Sequence, residues 1–302
     1  MRPLLIIGGC TGSGKSDLAV ECAKILDAEV ISCDSMQIYR GLDIGTAKIT
    51  KDETQGIPHH MIDVVDPMDG FTAAEYKTQV AKLIEDILAR SKTPILCGGT
   101  GLYINAVLYD LSFSGDFDPA LRNSLLEEAG IYGKEHMYQK LVSLDKDAAA
   151  RLHVNDEKRV IRAIEKSLTG GQKENDLSCA KYPYLMFVTD LPREVLYERI
   201  NQRVDKMIKV GLKDEVERLL NEGIGFDKQC MQAIAYKEWA HLYSGELSEA
   251  EVIDLIKKNT RNYAKRQITW FKQYKDAVKL DVIANTLKQN AKIICDRYNE
   301  EV

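Results

Sequence analysis

The stretch that decides the fold is Leu4-Leu-Ile-Ile-Gly-Gly-Cys-Thr-Gly-Ser-Gly-Lys-Ser16. Its first four residues, Leu4 to Ile7, are apolar and have the length and branching of a buried β-strand. Residues Gly9 to Ser16 match the pattern G-x-x-x-x-G-K-[ST], and an amphipathic segment follows at 17–26. Strand, glycine-rich loop and helix in this order are the setting that a phosphate-binding loop requires. We therefore predict that this stretch binds a phosphate or diphosphate group, as in ATP-binding proteins.

The residue types in this loop suit an anion. Glycines allow successive backbone N–H groups to point inward, and the N-terminus of the following helix adds partial positive charge. Lys15 supplies a mobile cation, and the Ser16 hydroxyl is a ligand that Mg²⁺ accepts. We assign phosphate binding to Gly9, Cys10, Thr11, Gly12, Ser13, Gly14, Lys15 and Ser16.

The bulk composition narrows the class of protein. With 302 residues the chain is long enough for two domains, and 45% hydrophobic and 29% charged residues are ordinary values for a globular protein. A net charge of −5 means that any nucleic-acid binding must use local basic patches. The seven cysteines have no metal-ligand spacing, so we expect reduced thiols. We expect no targeting segment and no membrane span, and hence a cytoplasmic protein.

Two further polar groups are expected at the sheet edge that carries the phosphate loop. Asp34 ends a second predicted strand, 29–34, and Thr100 lies in Gly98-Gly-Thr-Gly101 after another strand, 93–97. Ligands of open α/β sheets bind at the carboxyl ends of the strands. Asp34 is either a turn or N-cap residue, or a general base or magnesium second-shell ligand. Thr100 is a hydrogen-bonding group rather than a nucleophile, because no activating base is nearby in the sequence.

The fold class follows from the order of the patterns. A helix at 72–90 and a strand at 184–188 extend the α/β arrangement, whereas 115–182 contains helical patterns. We predict a P-loop NTPase-like parallel sheet, formed by 1–114 and 183–302, with a helical insertion domain at 115–182 and helices in the C-terminal region. His59-His60 lacks ligand spacing and is predicted to be structural.

Basic residues recur in three places. Arg199 and Arg203 are four residues apart on one helical face, which suits a diphosphate, although pairing with neighbouring acids is the alternative. A basic cluster at 151–162 is interpreted on charge pattern alone as a solvated face. The segment 257–275 combines Lys and Arg with aromatic residues, and is the strongest indication of nucleic-acid binding.

Several motifs in fixed order resemble a known family. They are the phosphate loop, Asp34-Ser-Met-Gln-Ile-Tyr-Arg40, Asp43-Ile-Gly-Thr-Ala-Lys48, His59-His-Met-Ile-Asp63, Gly98-Gly-Thr-Gly-Leu-Tyr103, Asp156-Glu-Lys-Arg-Val-Ile-Arg-Ala163 and Thr260-Arg-Asn-Tyr-Ala-Lys-Arg-Gln-Ile-Thr-Trp-Phe271. Together they closely resemble the bacterial tRNA dimethylallyltransferases. The resemblance runs from Leu4 to about Lys272, and seven ordered motifs are far more specific than the phosphate loop alone.

The resemblance implies a reaction. A dimethylallyl group passes from dimethylallyl diphosphate to the N6 amine of the adenosine at position 37 of tRNA, diphosphate leaves, and Mg²⁺ assists. It implies that Asp34 is the general base, that Thr100 lies at the reacting base and that Arg203, or alternatively Arg199, helps to hold the diphosphate. The residues implied to contact tRNA are Asp34, Ser35, Met36, Gln37, Thr100, Asn123, Arg159, Val160, Ile161, Arg162, Ala163, Gln232, Ala233, Ile234, Ala235, Tyr236 and Lys237.

Departures and alternatives remain open. Cys10 and Gly12 stand where the family usually has Pro and Ala, which backbone binding tolerates. Ala235 replaces a usual Gly, which raises the question of the local backbone geometry. The alternatives are a P-loop small-molecule kinase, an enzyme that prenylates free adenine nucleotides, and a nucleotide-regulated RNA-binding protein without catalysis. Nothing in the sequence demands more than a monomer.

Overall fold

A computed structural model describes residues 2–113, 118–170, 177 and 179–302. The predicted boundary between residues 114 and 115, and most of the polar loop expected at 170–178, lie outside the described residues. Within them the chain divides into two compact units, one formed by 1–110 with 177–302 and the other by 111–176.

The larger unit is built on a six-stranded sheet in which every neighbouring pair is parallel. The strand order is β3-β2-β4-β1-β5-β6, which places the strand before the phosphate loop in the interior of the sheet. The strands are β1 Leu4–Gly8, β2 Ala28–Cys33, β3 His59–His60, β4 Thr93–Gly98, β5 Tyr184–Asp190 and β6 Val278–Asp281. This is the P-loop NTPase-like parallel sheet that the sequence predicted.

Both faces of the sheet are covered, as the apolar run in β1 requires. Leu4 and Ile6 belong to a hydrophobic core on one face, and Leu5 and Ile7 belong to the core on the other. All four side chains are at most 1% exposed. Successive side chains of a strand point to opposite faces, so a strand buried on both sides reads as a continuous apolar run rather than an alternating one.

Twelve α-helices are present in the described residues. They are α1 Lys15–Leu26, α2 Lys51–Thr54, α3 Ala73–Ala89, α4 Gly101–Leu108, α5 Pro119–Leu144, α6 Lys146–Ala150, α7 Glu157–Leu168, α8 Arg193–Lys209, α9 Leu212–Asn221, α10 Ala240–Tyr243, α11 Glu249–Phe271 and α12 Leu287–Glu301. The predicted capping box of Thr72 and Glu75 starts α3: each side chain accepts a hydrogen bond from the backbone N–H of the other.

Two elements near the C-terminus were missed by the sequence analysis. In β6 only Leu280 is buried, because this short strand lies at the sheet edge, so its apolar pattern is weak. In α12, Thr286 and Gln289 form a capping box that could have revealed the helix. This helix packs against α1, and its buried residues Ile294 and Cys295 belong to the same core as Leu5 and Ile7.

The smaller unit is helical and has its own hydrophobic core. Residues from α5, α6 and α7 form this core, including Leu125, Met137, Ala149 and Ile164. Helix α5 is kinked at Gly133, where φ is 80°, a left-handed conformation that glycine adopts without a steric penalty.

The cysteines and the helices agree with the expectations from composition. All seven cysteines are free thiols, and Cys179 is the exposed one. Burial raises the pKa of Cys33 to about 12 and that of Cys97 to about 11, so these thiols stay protonated at neutral pH. None of the helices in the described residues combines the length and apolar character needed to span a bilayer.

Candidate active site

The phosphate loop joins β1 to α1, whose first residue is Lys15. Gly14 precedes the helix with φ of 84°. The Ser13 side chain is buried and donates to the Cys10 carbonyl oxygen over 2.8 Å, and Thr189 of β5 donates to the Ser13 hydroxyl over 2.7 Å. Ser13 therefore stabilises the loop with its side chain and offers an anion only its backbone N–H. The Lys15 ammonium donates to the Cys10 carbonyl over 3.3 Å and lines the adjoining cavities.

Asp34 reaches the same cavities as Lys15. It follows β2 directly, and both residues line two cavities at the carboxyl edge of the sheet. Oδ1 of Asp34 accepts from the backbone N–H of Met36 over 2.9 Å and of Gln37 over 3.4 Å. The turn role is therefore real, yet Oδ2 has no hydrogen-bond partner among the described residues. One carboxylate oxygen is fixed and the other is free to accept a proton.

Thr100 lies beside Asp34 through a backbone contact. Its Oγ1 accepts from the backbone N–H of Ser35 over 3.2 Å, and its own N–H donates to the Cys33 carbonyl over 3.0 Å. The glycines around it make room for neighbours: a Cβ atom on Gly101 would overlap the indole of Trp270. The loop thus holds a hydroxyl next to the carboxylate, as a hydrogen-bonding group.

Arg203 occupies a more central place than Arg199. Arg203 lines all three cavities that contain Lys15, whereas Arg199 lines one of them. Nη2 of Arg203 donates to the Ala47 carbonyl over 3.4 Å, and neither arginine forms an ion pair within the part of the chain that the structure describes. Burial lowers the pKa of Arg203, and the charge of Asp34 is the largest opposing influence. A half-buried guanidinium without an ion partner is suited to an incoming diphosphate.

Gln267 of α11 is a site residue that the sequence analysis missed. Its Oε1 accepts from the Thr11 backbone N–H over 2.9 Å, and its Nε2 donates to the Gly99 carbonyl over 3.1 Å. The Thr11 N–H is therefore already engaged, which leaves its hydroxyl to face the cavity. The basic and aromatic residues of this helix give no indication of that role; a polar residue at a buried helical position is the available signal.

Glu215 of α9 was also missed. This carboxylate is 7% exposed and accepts from the backbone N–H groups of Asp43, Ile44 and Gly45 and from the Tyr236 hydroxyl, over 2.5 to 3.1 Å. The segment it holds, 43–47, contributes Thr46 and Ala47 to the cavities. A carboxylate so distant in sequence gives no local pattern by which to recognise its partners.

The other residues of the larger unit that are predicted to contact tRNA differ in how exposed their side chains are. Ser35, Met36 and Gln37 all line cavities at this edge, and the Gln37 amide also donates to the carbonyls of Thr46 and Ala47 over 3.3 Å each. In the segment 232–237, the exposed side chains belong to Gln232 and Lys237 and the buried ones to Ala233, Ala235 and Tyr236.

Ala235 stands where the family usually has Gly, and its backbone conformation shows how the alanine is accommodated. Its φ is 78°, so the alanine adopts the left-handed conformation that glycine would favour. Glu238 accepts from its N–H over 2.9 Å, and the Trp239 indole donates to its carbonyl over 3.0 Å. These contacts hold the backbone in a conformation that is strained for alanine.

In the smaller unit the predicted contacts lie on α5 and α7. Asn123 is exposed, Arg159 has 75% of its side chain exposed and Arg162 pairs with Glu165 over 3.0 Å. The side chains of Val160 and Ile161 are 1% exposed and belong to the hydrophobic core. Within 159–163, therefore, the arginines are the side chains that a ligand can reach.

The two histidines have different surroundings: His59 lines the cavity that contains Lys15 and Asp34, whereas His60 contacts a buried glutamate. His59 and His60 form β3, and Nε2 of His60 lies 2.7 Å from Glu29, which also pairs with Arg90. No group of three or more His, Cys, Asp or Glu residues within the described ranges is arranged to hold a metal ion. Ser16 and Asp34, which line one cavity, still offer the oxygen donors that Mg²⁺ prefers when phosphate supplies further ligands.

The fold and the site define a class. A parallel sheet carries a phosphate loop at its carboxyl edge, and a lysine, a free arginine and a carboxylate share the cavity beside it. These features define a protein of the P-loop NTPase-like fold.

Comparison with known proteins specifies the family. The model of the family described as IPP transferase matches residues 37–274, so the chain belongs to this family. A tRNA dimethylallyltransferase of Exiguobacterium sp. is 45% identical over 296 residues, covering 97% of this chain and 95% of the relative.

Two solved structures are similar over nearly the whole chain. The full-length tRNA isopentenylpyrophosphate transferase of Bacillus halodurans is 40% identical with a TM-score of 0.76, covering 100% of this chain and 98% of that one. A eukaryotic dimethylallyltransferase, described as acting on tRNA, is 28% identical with a TM-score of 0.82, covering 99% of this chain and 79% of that one.

Proposed function

We propose that this protein transfers a dimethylallyl group from dimethylallyl diphosphate to N6 of the adenosine at position 37 of tRNA, releasing diphosphate. The observation that carries the proposal is that Lys15 of the phosphate loop and Asp34 line the same two cavities. A leaving-group site and a proton acceptor thus lie side by side. Membership of the IPP transferase family and the names of the relatives support the same activity.

The chain's own residues suit the leaving group. As the bond between the allylic carbon and oxygen breaks, negative charge grows on the diphosphate. The Lys15 ammonium, the Arg203 guanidinium and the backbone N–H groups at the start of α1 neutralise it. The loop therefore holds a diphosphate rather than the triphosphate of ATP.

Asp34 acts on the acceptor. The exocyclic amine of adenine is a poor nucleophile and becomes a better one as it gives up a proton while the new C–N bond forms. Oδ1 is held by the N–H groups of Met36 and Gln37, so Oδ2 is oriented to receive that proton. The Thr100 hydroxyl, fixed against Ser35, is the group that hydrogen-bonds to the base.

Ser16 would hold Mg²⁺ together with the diphosphate oxygens. The ion, when bound, adds positive charge at the leaving group. Ser16 is exposed to the cavity at the first turn of α1, which agrees with this role.

tRNA binding is assigned to both units. The target base must leave its stack to reach a cavity at a sheet edge, so the RNA needs holding elsewhere. We assign this to the helical unit, through Asn123, Arg159 and Arg162, and to α11. The basic side chains of α11 that are exposed include Lys265 and Arg266. We further propose a monomer in the cytoplasm, where tRNA is modified and thiols stay reduced.

Each of the three alternative functions leaves a feature of the structure unexplained. A small-molecule kinase has no use for α11 with its exposed Lys265, Arg266 and Trp270. An enzyme for free adenine nucleotides would not need the helical unit. A binding protein without catalysis would not need a free carboxylate oxygen on Asp34.

The test is transfer of label. The protein is incubated with labelled dimethylallyl diphosphate, Mg²⁺ and unmodified tRNA, with AMP and ATP as competing acceptors. We expect label in tRNA, lost when A37 is replaced by another base. Label in nucleotide only, or ATP hydrolysis without transfer, would refute the proposal.

Asp34→Asn tests the role of the carboxylate. Asparagine keeps an oxygen for the N–H groups of Met36 and Gln37 but is not a base, so we expect kcat to fall about 10²- to 10⁴-fold. tRNA affinity, measured by filter binding, should change little. Exposed Asp69→Asn, in the same unit, is the matched control and should transfer at the normal rate. Near-normal kcat in Asp34→Asn would remove this residue as the base.

A further inference from the structure

The Gln267 side chain connects the phosphate loop directly to the loop that carries Thr100. Its amide oxygen accepts from Thr11 N–H over 2.9 Å and its amide nitrogen donates to the Gly99 carbonyl over 3.1 Å. The side chain is 5% exposed and lines the cavity that contains Lys15 and Asp34.

The bridge connects the two halves of the proposed chemistry. On one side, Thr11 belongs to the loop that receives the leaving group. On the other, Gly99 precedes Thr100, whose Oγ1 accepts from Ser35 N–H. Ser35 in turn follows Asp34. The two loops leave the paired strands β1 and β4 after Gly8 and Gly98, and the Gln267 amide connects them beyond the last strand pair.

Gly99 provides independent support. A Cβ atom at this position would overlap Nε2 of Gln267 and lie 3.0 Å from the Gly9 carbonyl oxygen. Gly99 does not have the positive φ that favours glycine. The absence of a side chain is therefore required by the approach of Gln267 and of the phosphate loop.

We infer that Gln267 is a positioning residue for the transfer reaction, which holds the diphosphate loop and the Thr100 loop in register. This inference rests on the proposed function. Gln267 acts through the backbone of Thr11 and Gly99. It should affect the rate of transfer more than the affinity for either substrate, because misplacing two reacting groups raises the barrier without removing the contacts that bind them.

The chemistry of the amide gives a specific test, the variant Gln267→Glu. A protonated carboxyl group accepts through one oxygen and donates through the other, as the amide does. An ionised carboxylate only accepts, so it faces the Gly99 carbonyl without a proton between them. Burial and the nearby Asp34 raise the pKa of a carboxyl group at this position, and Lys15, Arg203 and Arg266, which line the same cavity, lower it, so we expect the introduced group to titrate within the assay range.

The measurement is kcat with labelled dimethylallyl diphosphate and tRNA between about pH 5.5 and pH 8.5. We expect kcat of Gln267→Glu, divided by that of the unmodified protein, to fall about ten- to hundredfold as pH rises. Taking the ratio removes every effect of pH that the variant and the unmodified protein share. Gln289→Glu makes the same chemical change in the capping box of α12, and its ratio should stay near one at every pH.

The variant Gln267→Met is a second test, which removes the amide hydrogen bonds without introducing a titratable group. Methionine has a similar shape but no hydrogen-bonding amide, so kcat should be low at every pH without recovery in acid. Binding of inorganic pyrophosphate with Mg²⁺, measured by calorimetry, should change less than about threefold in both variants, because Lys15 and Arg203 remain. The melting temperature shows whether each variant is folded.

Two outcomes would overturn the inference. One is a normal kcat in Gln267→Met. The other is a low ratio for Gln267→Glu that does not vary with pH, which would indicate only a packing role. Failure of the proposed function is distinct: in that case the unmodified protein itself does not transfer label to tRNA.

Discussion

Substitution of the buried Glu215 carboxylate should lower the free energy of unfolding more than most single substitutions do. It is 7% exposed and accepts hydrogen bonds from three consecutive backbone N–H groups, at residues 43, 44 and 45, and from the Tyr236 hydroxyl. Glu215→Gln keeps one acceptor oxygen, replaces the other by an NH₂ group that faces N–H donors, and removes the charge.

The magnitude follows from these contacts. A hydrogen bond to a charged group contributes about 1.5–3 kcal/mol, and a neutral one about 0.5–1.5 kcal/mol. Losing about 1 kcal/mol from each of the contacts, with some relaxation of segment 43–47, gives a loss of about 3 kcal/mol in the free energy of unfolding. The segment contributes Thr46 and Ala47 to the cavity of Lys15, so the KM for dimethylallyl diphosphate should also rise.

Urea denaturation followed by circular dichroism measures the change in stability. Glu217→Gln alters an exposed carboxylate of the same helix and should shift the free energy by less than about 0.5 kcal/mol. A similarly small shift for Glu215→Gln would refute the reasoning, because it would mean that backbone N–H groups buried against the carboxylate do not depend on its charge.

Two further predictions concern stability. Arg90 and His60 hold the pKa of Glu29 at about 2, below its ordinary value of 4.5, so the stabilisation of about 2 kcal/mol is present above pH 4.5 and is lost as pH falls towards 2. The difference in urea midpoint between the unmodified protein and Glu29→Gln should therefore shrink over this interval, and a constant difference would contradict the assignment. Ala235→Gly should raise stability by about 0.5–1 kcal/mol, since relief of the left-handed strain exceeds the added chain entropy; a lower melting temperature would show that the alanine is not strained.

Local pattern was enough to predict most of the core. The run Leu4 to Ile7 is apolar at every position because both faces of the sheet are covered, and the capping box of Thr72 and Glu75 marks a helix through contacts three residues apart. Strand β6 was not predicted, because an edge strand buries few side chains and its hydrophobic pattern is therefore weak. The carboxyl ends of parallel strands meet at one edge, which is why the phosphate loop and Asp34 were predicted to be neighbours.

What the sequence by itself determined is the anion site, the α/β class and the candidates at the sheet edge, since each depends on residues close together in the chain or on the regular geometry of a parallel sheet. Only the tertiary structure decided how those candidates are held. Gln267 meets Thr11 across 256 positions, and Glu215 meets segment 43–45 across about 170. Such contacts satisfy buried polar groups whose partners no local pattern specifies. The phosphate loop is thus readable from sequence, whereas its alignment with Asp34 and Thr100 depends on side chains that folding brings from the C-terminal half.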